Sequence, residues 1–512
     1  MPRPNILFIT TDQQRFDHLG LAGLEAVKTP NLDRLGREGV HFERAYCPSP
    51  TCTPTRVSLL TGRYPSTHYA YCIGVTADPF PRPTIGELFT RSGYASGIFG
   101  KAHFVRRAEE IAHMAGTPNP PEDFFKKWKG PYVGFEEAIM TNGHTINTTP
   151  AMHYREFLEE NAPGYEKWFP HLTGTYDHDR CGVWEIPPQF HNTTWVADHT
   201  AAFIRRQAGG SRPWFAFANF EDPHEPYVCP EPWFSSVDMS RAPDYEGYRE
   251  GEFDQKPDIY RMAYEKDFGD LNDGSVRGEI LGGAVHERCS IPSVYGEPEK
   301  EKRKRTALQA TLGMVAFLDN RIGHLLQTLE DTRQLENTII VFTSDHGEMH
   351  GHHGLWGKGA TAFEDCQRVP LLFWGPGWIR PCGTTPALAN LVDIPRTLLN
   401  LAGIPLPQEI QGVDLGPVLR RESDSVQDAV LVEMRASQHT FNQHTLITDR
   451  HKLVLYKHTD DGELYDLSTD PDQYHNRWND PDSASLKLQL LHRLARLQME
   501  REPLGPPRVS FA

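Results

Sequence analysis

The run Cys52-Thr53-Pro54-Thr55-Arg56-Val57-Ser58-Leu59-Leu60-Thr61-Gly62-Arg63 combines a thiol, an early proline and a basic residue one helical turn on. Proline is tolerated in the first turn of a helix, so the run predicts a helix with Cys52 at its N-terminus. Free amides and the helix dipole favour an anion there, and Arg56 points the same way. A thiol in such a nest is either a nucleophile or a modified residue. A buried cysteine beside a helix cap is the bland alternative. Carboxylates appear in a second pattern: Asp12 directly follows the apolar run Ile6–Thr10, and Asp345-His346 follows Thr338–Thr343. A carboxylate at the C-terminal end of a parallel strand faces the crevice where α/β proteins bind ligands. Two carboxylates and an imidazole from two strand ends suffice for a divalent cation.

The elements that must position these groups are short apolar runs: Ile6–Thr10, Ala95–Phe99, Trp214–Phe220, Thr338–Thr343 and Pro370–Trp374. None alternates, which is the pattern of parallel strands covered on both faces. Helical patterns lie between them. One opens at Thr29-Pro30, with Thr29 as N-cap and Gly39 as stop; another spans Thr306 to Thr332; a third runs from Asp393 to Leu401 and is closed by Gly403. This alternation predicts an α/β domain, residues 1–405, with a large, mostly parallel central sheet flanked by helices. After about residue 405, Ala429–Met434 and His444–Tyr456 predict a small antiparallel sheet with a turn at Thr448–His451, followed by a helix over Ala484–Gln498. Residues 406–512 are thus expected to form a smaller α+β domain. Val228–Lys304, rich in Gly, Pro and acidic residues, reads as a surface excursion whose Trp and Tyr side chains are candidates for contacting an organic group.

The longer pattern C-x-P-x-R-x-x-x-L-T-G-R, carried by Cys52, Pro54, Arg56, Leu60, Thr61, Gly62 and Arg63, resembles the signature of sulfatases. Pro4–Asp12 resembles that family's opening strand with its first metal carboxylate, and Thr29–Leu35 its first helix. Asn390–Gly403, Leu464–Leu467 and Asp470-Pro471 are similar to its C-terminal landmarks. The resemblance implies hydrolysis of a small aryl, alkyl or carbohydrate sulfate monoester. It implies that a formylglycine-generating enzyme oxidises Cys52 to formylglycine, whose hydrate is the nucleophile. It also implies one metal ion on Asp12, Asp345, His346 and the modified Cys52. Many sulfatases have Asp where Gln13 stands, so Gln13 is expected either as a carbonyl ligand or as a hydrogen-bond partner of the ligands. His346 replaces a commoner Asn and softens the site. Calcium is expected, with manganese as the alternative. Lys101 and His103, in Gly100-Lys101-Ala102-His103, resemble the residues that steady the hydrate and act on it as base. Arg56 shares the orienting role, and His224 and Lys358 resemble the sulfate contacts.

Phosphonate monoester and phosphodiester hydrolases resemble the same pattern, with the Cys motif and the Asp-His pair. They tend to carry Tyr and Thr where Lys101 and His103 stand, which favours sulfate here. A non-catalytic sulfate-ester binder is the third reading, and applies if Cys52 stays a thiol. The three histidines His350, His352 and His353 have a spacing poor for one helical face, so a second metal is not expected there. One of them is expected to line the substrate pocket.

The 512 residues carry a net charge of −16. That argues against a nucleic-acid partner, which needs a basic face, and weakly favours a small ester over a polyanionic glycan. No apolar run approaches the roughly 20 residues of a membrane span. The N-terminal apolar run is too short for a signal-peptide core, so a cytoplasmic protein is expected. Eight scattered cysteines point to reduced thiols rather than a disulfide framework. A homo-oligomer, reached through the tail Leu504–Val509, is left open.

Overall fold

Along the first strand Ile6 and Phe8 join one hydrophobic core while Leu7 and Ile9 join another. Such a strand needs cover on both faces, and the fold supplies it. The computed structural model describes residues 3–73, 75, 80–105, 107–142, 150–169, 172, 181–265, 298–435, 441–457 and 459–502. Its central sheet contains β1 (Asn5–Thr11), β2 (Val40–Tyr46), β3 (Ala95–Lys101), β4 (Glu137–Thr141), β5 (Trp214–Asn219), β6 (Thr338–Ser344), β7 (Leu371–Trp374) and β8 (Gly383–Asn390). Their order is β8-β2-β7-β6-β1-β5-β3-β4, with the two-residue strand Arg368–Val369 beside β2.

Helices α1 (Pro30–Arg37), α3 (Asn192–Gln207) and α4 (Pro298–Asp331) cover one face, and α2 (Cys52–Thr61) and α5 (Asp393–Leu401) the other. The predicted stripe of α4, from Leu308 to Leu329, is buried throughout. Thr29 is the N-cap position of α1, but its hydroxyl donates to Asp33 Oδ1 at 2.9 Å and accepts from the Gly20 N–H at 2.9 Å, so it caps no amide of the helix.

A separate antiparallel sheet follows: β9 (Ala429–Arg435), β10 (Asn442–Thr448), β11 (His451–Tyr456) and β12 (Gly462–Asp466), in that order. Leu490, Leu494 and Leu497 of α6 (Ala484–Glu500) pack on Leu431, Leu446, Leu453 and Leu464. Met434, Phe441, Val454 and Tyr456 share a core instead with Tyr260, Met349 and Phe363.

Three expectations change. β7 was expected to be parallel but runs antiparallel to both β2 and β6; burial on both faces carries no information about strand direction. β2, β4 and β8 were not expected as strands, because His41, Glu43, Arg44, Glu137 and Pro386 interrupt their apolar runs. The excursion is not confined to the surface: Phe253, Ile259 and Tyr260 are buried, anchors too sparse to produce a period. Residues 266–297 of the excursion, with Cys289, and the tail from Leu504 lie outside the described residues.

Candidate active centre

Strand register assembles the centre. β1 and β6 are parallel neighbours with Thr11 opposite Ser344, so Asp12 and Asp345 emerge side by side. β3 and β5 pair with Gly100 opposite Asn219, which brings Lys101 to the same edge, and the loop after β5 carries His224. Gly100 has φ +92°, and a Cβ there would lie 2.0 Å from the Asn219 carbonyl oxygen, so only glycine permits this approach. Cys52 is the first residue of α2, whose ten residues are all buried, and the preceding Thr51 is extended.

Arg56 organises the carboxylates. Its Nη2 donates to Asp12 Oδ2 at 2.9 Å, its Nε to Asp345 Oδ2 at 2.8 Å and its Nη1 to the Lys101 carbonyl at 3.2 Å. Lys101 Nζ lies 2.7 Å from the same Asp12 Oδ2. The Oδ1 atoms of both aspartates face His346 Nε2 instead, at 3.7 Å from Asp12 and 3.5 Å from Asp345. Cys52 Sγ lies 3.2 Å from His346 Nε2 and 3.8 Å from Asp12 Oδ1. Asp12, Cys52, Asp345 and His346 each offer a ligand atom within 4.8 Å of the others, all buried. With Arg56 on the far oxygens, this converging donor set fits a divalent cation.

Lys358 closes the opposite side. Its Nζ donates to Cys52 Sγ at 3.2 Å and to Gln13 Oε1 at 2.7 Å, and lies 2.7 Å from His224 Nε2. Gln13 sits at φ +65°, an uncommon conformation for a non-glycine residue, and its amide N–H donates to Asp345 Oδ1 at 3.1 Å. Its side-chain amide reaches Glu225 Oε2 at 2.6 Å and also donates to Glu348. His103, at φ +52°, accepts a hydrogen bond from Thr53 Oγ1 on its carbonyl, and its ring interacts with Cys52.

Burial opposes every charge in this centre, and neighbours outweigh it at Asp12 and Cys52 but not at Asp345 or His103. Burial works against ionised Asp12, but Lys101, His224, Arg56 and Lys358 outweigh it and hold Asp12 well below the usual carboxylate range. Burial and then Asp12 push Asp345 up. Burial and Asp12 disfavour the Cys52 thiolate, yet Lys358, His346 and Lys101 lower the thiol well below its ordinary value. Burial lowers His103 and so keeps it neutral. A buried sulfur in electropositive surroundings, beside two imidazoles and two ammonium groups, is equipped for nucleophilic chemistry on an oxyanion ester.

All the residues predicted from sequence converge here: Asp12, Gln13, Cys52, Arg56, Lys101, His103, His224, Asp345, His346 and Lys358. Sequence reading missed Glu348, which is fully buried and whose Oε1 accepts from the backbone N–H of Gly357 at 2.5 Å and of His350 at 3.1 Å. Its signal was its place two residues after His346. Glu221 and Asp222 were also missed as buried acids, pushed up by burial to about 8 and about 7. The three histidines separate. His350 packs against His18, Tyr227 and Trp356, whereas His352 and His353 meet Asp365. The helical-spacing argument does not apply to them, because Gly351 and His353 have φ of +87° and +54°.

The sheet and its edge define an α/β ester hydrolase. The family model described as Sulfatase matches residues 4–404, and one described as N-sulphoglucosamine sulphohydrolase, C-terminal, matches residues 351–500. The chain is 28% identical to an arylsulfatase of Clostridium perfringens, over 93% of this chain and 90% of that one. It is 26% identical to an N-acetylglucosamine-6-O-sulfatase of Bacteroides thetaiotaomicron, covering 98% and 88%. The crystal structure of a phosphonate monoester hydrolase of Agrobacterium radiobacter superposes with a TM-score of 0.75 at 25% identity, covering 98% and 96%. The chain belongs to the sulfatase family, and it is an enzyme that hydrolyses sulfate esters. Among the described residues no helix is long and apolar enough to cross a membrane.

Proposed function

We propose that the chain hydrolyses small sulfate monoesters through formylglycine formed at Cys52. The observation that carries this reading is the position of Cys52 Sγ, at the buried N-terminus of α2 and 3.2 Å from both His346 Nε2 and Lys358 Nζ. The formylglycine hydrate supplies a nucleophile for sulfur and a second hydroxyl through which sulfate is released. A divalent cation on Asp12, Asp345, His346 and the modified residue, calcium first and manganese second, supplies Lewis-acid charge. Gln13 orients Asp345 through its amide N–H. Lys358 and His224 bind the ester oxygens, and His224 hands a proton to the departing alcohol. His103, neutral in its buried setting, takes the proton that frees sulfate. Arg56 and Lys101 hold Asp12 in place and offset charge at the nucleophile. No disulfide joins the seven described cysteines, which supports a reducing, cytoplasmic compartment. Residues 1–405 carry all of these groups, and 406–512 form the smaller unit.

The test is mass spectrometry of the tryptic peptide Ala45–Arg56 from chain matured beside a formylglycine-generating enzyme. That peptide also contains Cys47, an internal thiol control. Conversion of thiol to aldehyde at Cys52 alone, a loss of one sulfur and two hydrogens with gain of one oxygen, is expected; an unmodified Cys52 overturns the reading and favours a sulfate-ester binder. Turnover of an aryl sulfate is then compared with that of the matching phosphonate monoester. The structural likeness to a phosphonate monoester hydrolase supports the second reading. Lys101 and His103 support the first, so faster sulfate turnover is expected.

A further inference from the structure

A cavity of about 550 Å³ lies between β2, the segment around Tyr245 and the turn after β12. On one wall His352 and Asp365 belong to a second set of ligating side chains outside the active centre. His352, His353 and Asp365, all buried, each offer a ligand atom within 4.8 Å of the others. Arg15 Nη1 donates to Asp365 Oδ1 at 2.5 Å, and His352 Nδ1 lies 2.9 Å from the same oxygen. Among the described residues Oδ2 is therefore left for another partner. His353 is fully buried, its ring is stacked 3.9 Å from Phe363, and neither ring nitrogen makes a hydrogen bond. Glu252 Oε1, 3.3 Å from His353 Nδ1 and 2% exposed, makes none either. A buried imidazole is costly unless its nitrogens find partners; Glu252 lies beside Nδ1, and a cation on the ring would satisfy the remainder.

We propose that His352, His353 and Asp365 form a second metal site, with Glu252 beside His353 Nδ1 as the carboxylate that orients that ring. Two imidazoles and one carboxylate, with the fourth position open, suit a four-coordinate borderline cation of the zinc type. The site joins three stretches that are distant in sequence: the segment before helix Asp258–Glu265, the turn His352–Gly354, and helix Glu364–Gln367 just before β7. Metal held there fixes the wall of the cavity. The inference does not rest on the ester-hydrolase reading.

The experiment uses the full chain carrying Asp12→Asn and Cys52→Ala, which strips two donors from the active centre. It is titrated with zinc against a chromophoric chelator, and the metal is counted by plasma mass spectrometry after gel filtration. One zinc per chain is expected. Adding His353→Asn is expected to weaken zinc on the order of 100-fold, since even outer partners of metal ligands are worth 10–100-fold. Glu252→Gln, a gentler change, is expected to weaken it about 10-fold by the same reasoning. Cobalt substitution gives a spectroscopic readout, a four-coordinate visible band that His353→Asn abolishes. No bound zinc, or an affinity unmoved by both substitutions, overturns the proposal. These readouts stay put if Cys52 is never modified, so the two readings fail separately.

Discussion

Around Arg56 and around Glu463 the same fold buries ions in two different ways. At Glu463 both carboxylate oxygens are saturated: Tyr260 donates to them at 2.9 and 3.0 Å, and Tyr456 and Tyr465 each donate at 2.5 Å. Lys256 Nζ, 4.0 Å from the carboxylate, donates to Tyr465 Oη at 2.5 Å and to the Gln473 carbonyl at 2.7 Å. That network closes on itself and ties the helix Asp258–Glu265 to β12. At Arg56 the guanidinium takes only the Oδ2 atoms of Asp12 and Asp345, and the Oδ1 atoms converge with His346 and Cys52. Burial is equal in the two places. What differs is direction: the Glu463 oxygens are taken up by tyrosine hydroxyls, whereas the Oδ1 atoms of Asp12 and Asp345 point at a shared site, even though Asp345 Oδ1 also accepts the backbone N–H groups of Gln13 and His346. Closed ion networks stabilise; convergent ones leave room for chemistry.

The largest test of this contrast is Cys52→Ala. Turnover of an aryl sulfate is expected to fall on the order of 10⁴-fold or more, as for loss of a catalytic nucleophile. The urea midpoint should barely move. Retained turnover would sink the assignment of the convergent centre. The next test pairs Arg56→Met with Glu463→Gln. Each removes one partner of a buried ion set and is expected to cost about 3–5 kcal/mol in urea unfolding. Only Arg56→Met should also abolish turnover. A Glu463→Gln chain as stable as the parent would contradict the closed network.

The smallest effect is a pH dependence. Burial pushes the Lys256 ammonium down to about 8 from 10.5, against the opposing pull of Glu463. Below that window Lys256 is charged in both states, and its burial penalty is fully present. Between pH 8 and 10.5 the unfolded chain binds the extra proton, so unfolding free energy rises with pH. The rise is expected to reach about 3 kcal/mol relative to a Lys256→Met chain, by the usual conversion of pKa shifts. A pH-independent difference between the two chains would refute it.

The convergent centre was legible in the sequence because its main parts obey local rules. Asp12 and Asp345 each follow an apolar strand directly, and parallel register sets them together. Pro54 marks the first turn that carries Cys52. Lys101, His103, His224 and Lys358 were legible only through the family resemblance, since a lone Lys or His after a strand is ordinarily solvated. The closed network left no trace: Lys256 and Glu463 meet across 200 residues, in a stretch without hydrophobic period. The same holds for Arg15 and Asp365, which no local pattern connects. Helix α4 was readable because one long stripe repeats, whereas β2 and β8 were not, because polar residues on sheet strands look like loop.

The reversed direction of β7 has a consequence for how this enzyme can vary. A parallel β7 would send the chain from Ser344 across to the opposite edge of the sheet before it returned. Instead, residues 345–370 leave and re-enter at one edge, like an oversized hairpin rooted on two neighbouring strands. Asp345 and His346 stand at one root, and Lys358 hangs between the roots. Doubling the length of such a loop costs only about 0.6 kcal/mol in closure entropy. Insertions in its outer turns can therefore reshape what the site admits while the strand register, and with it the two aspartates, stays where it is.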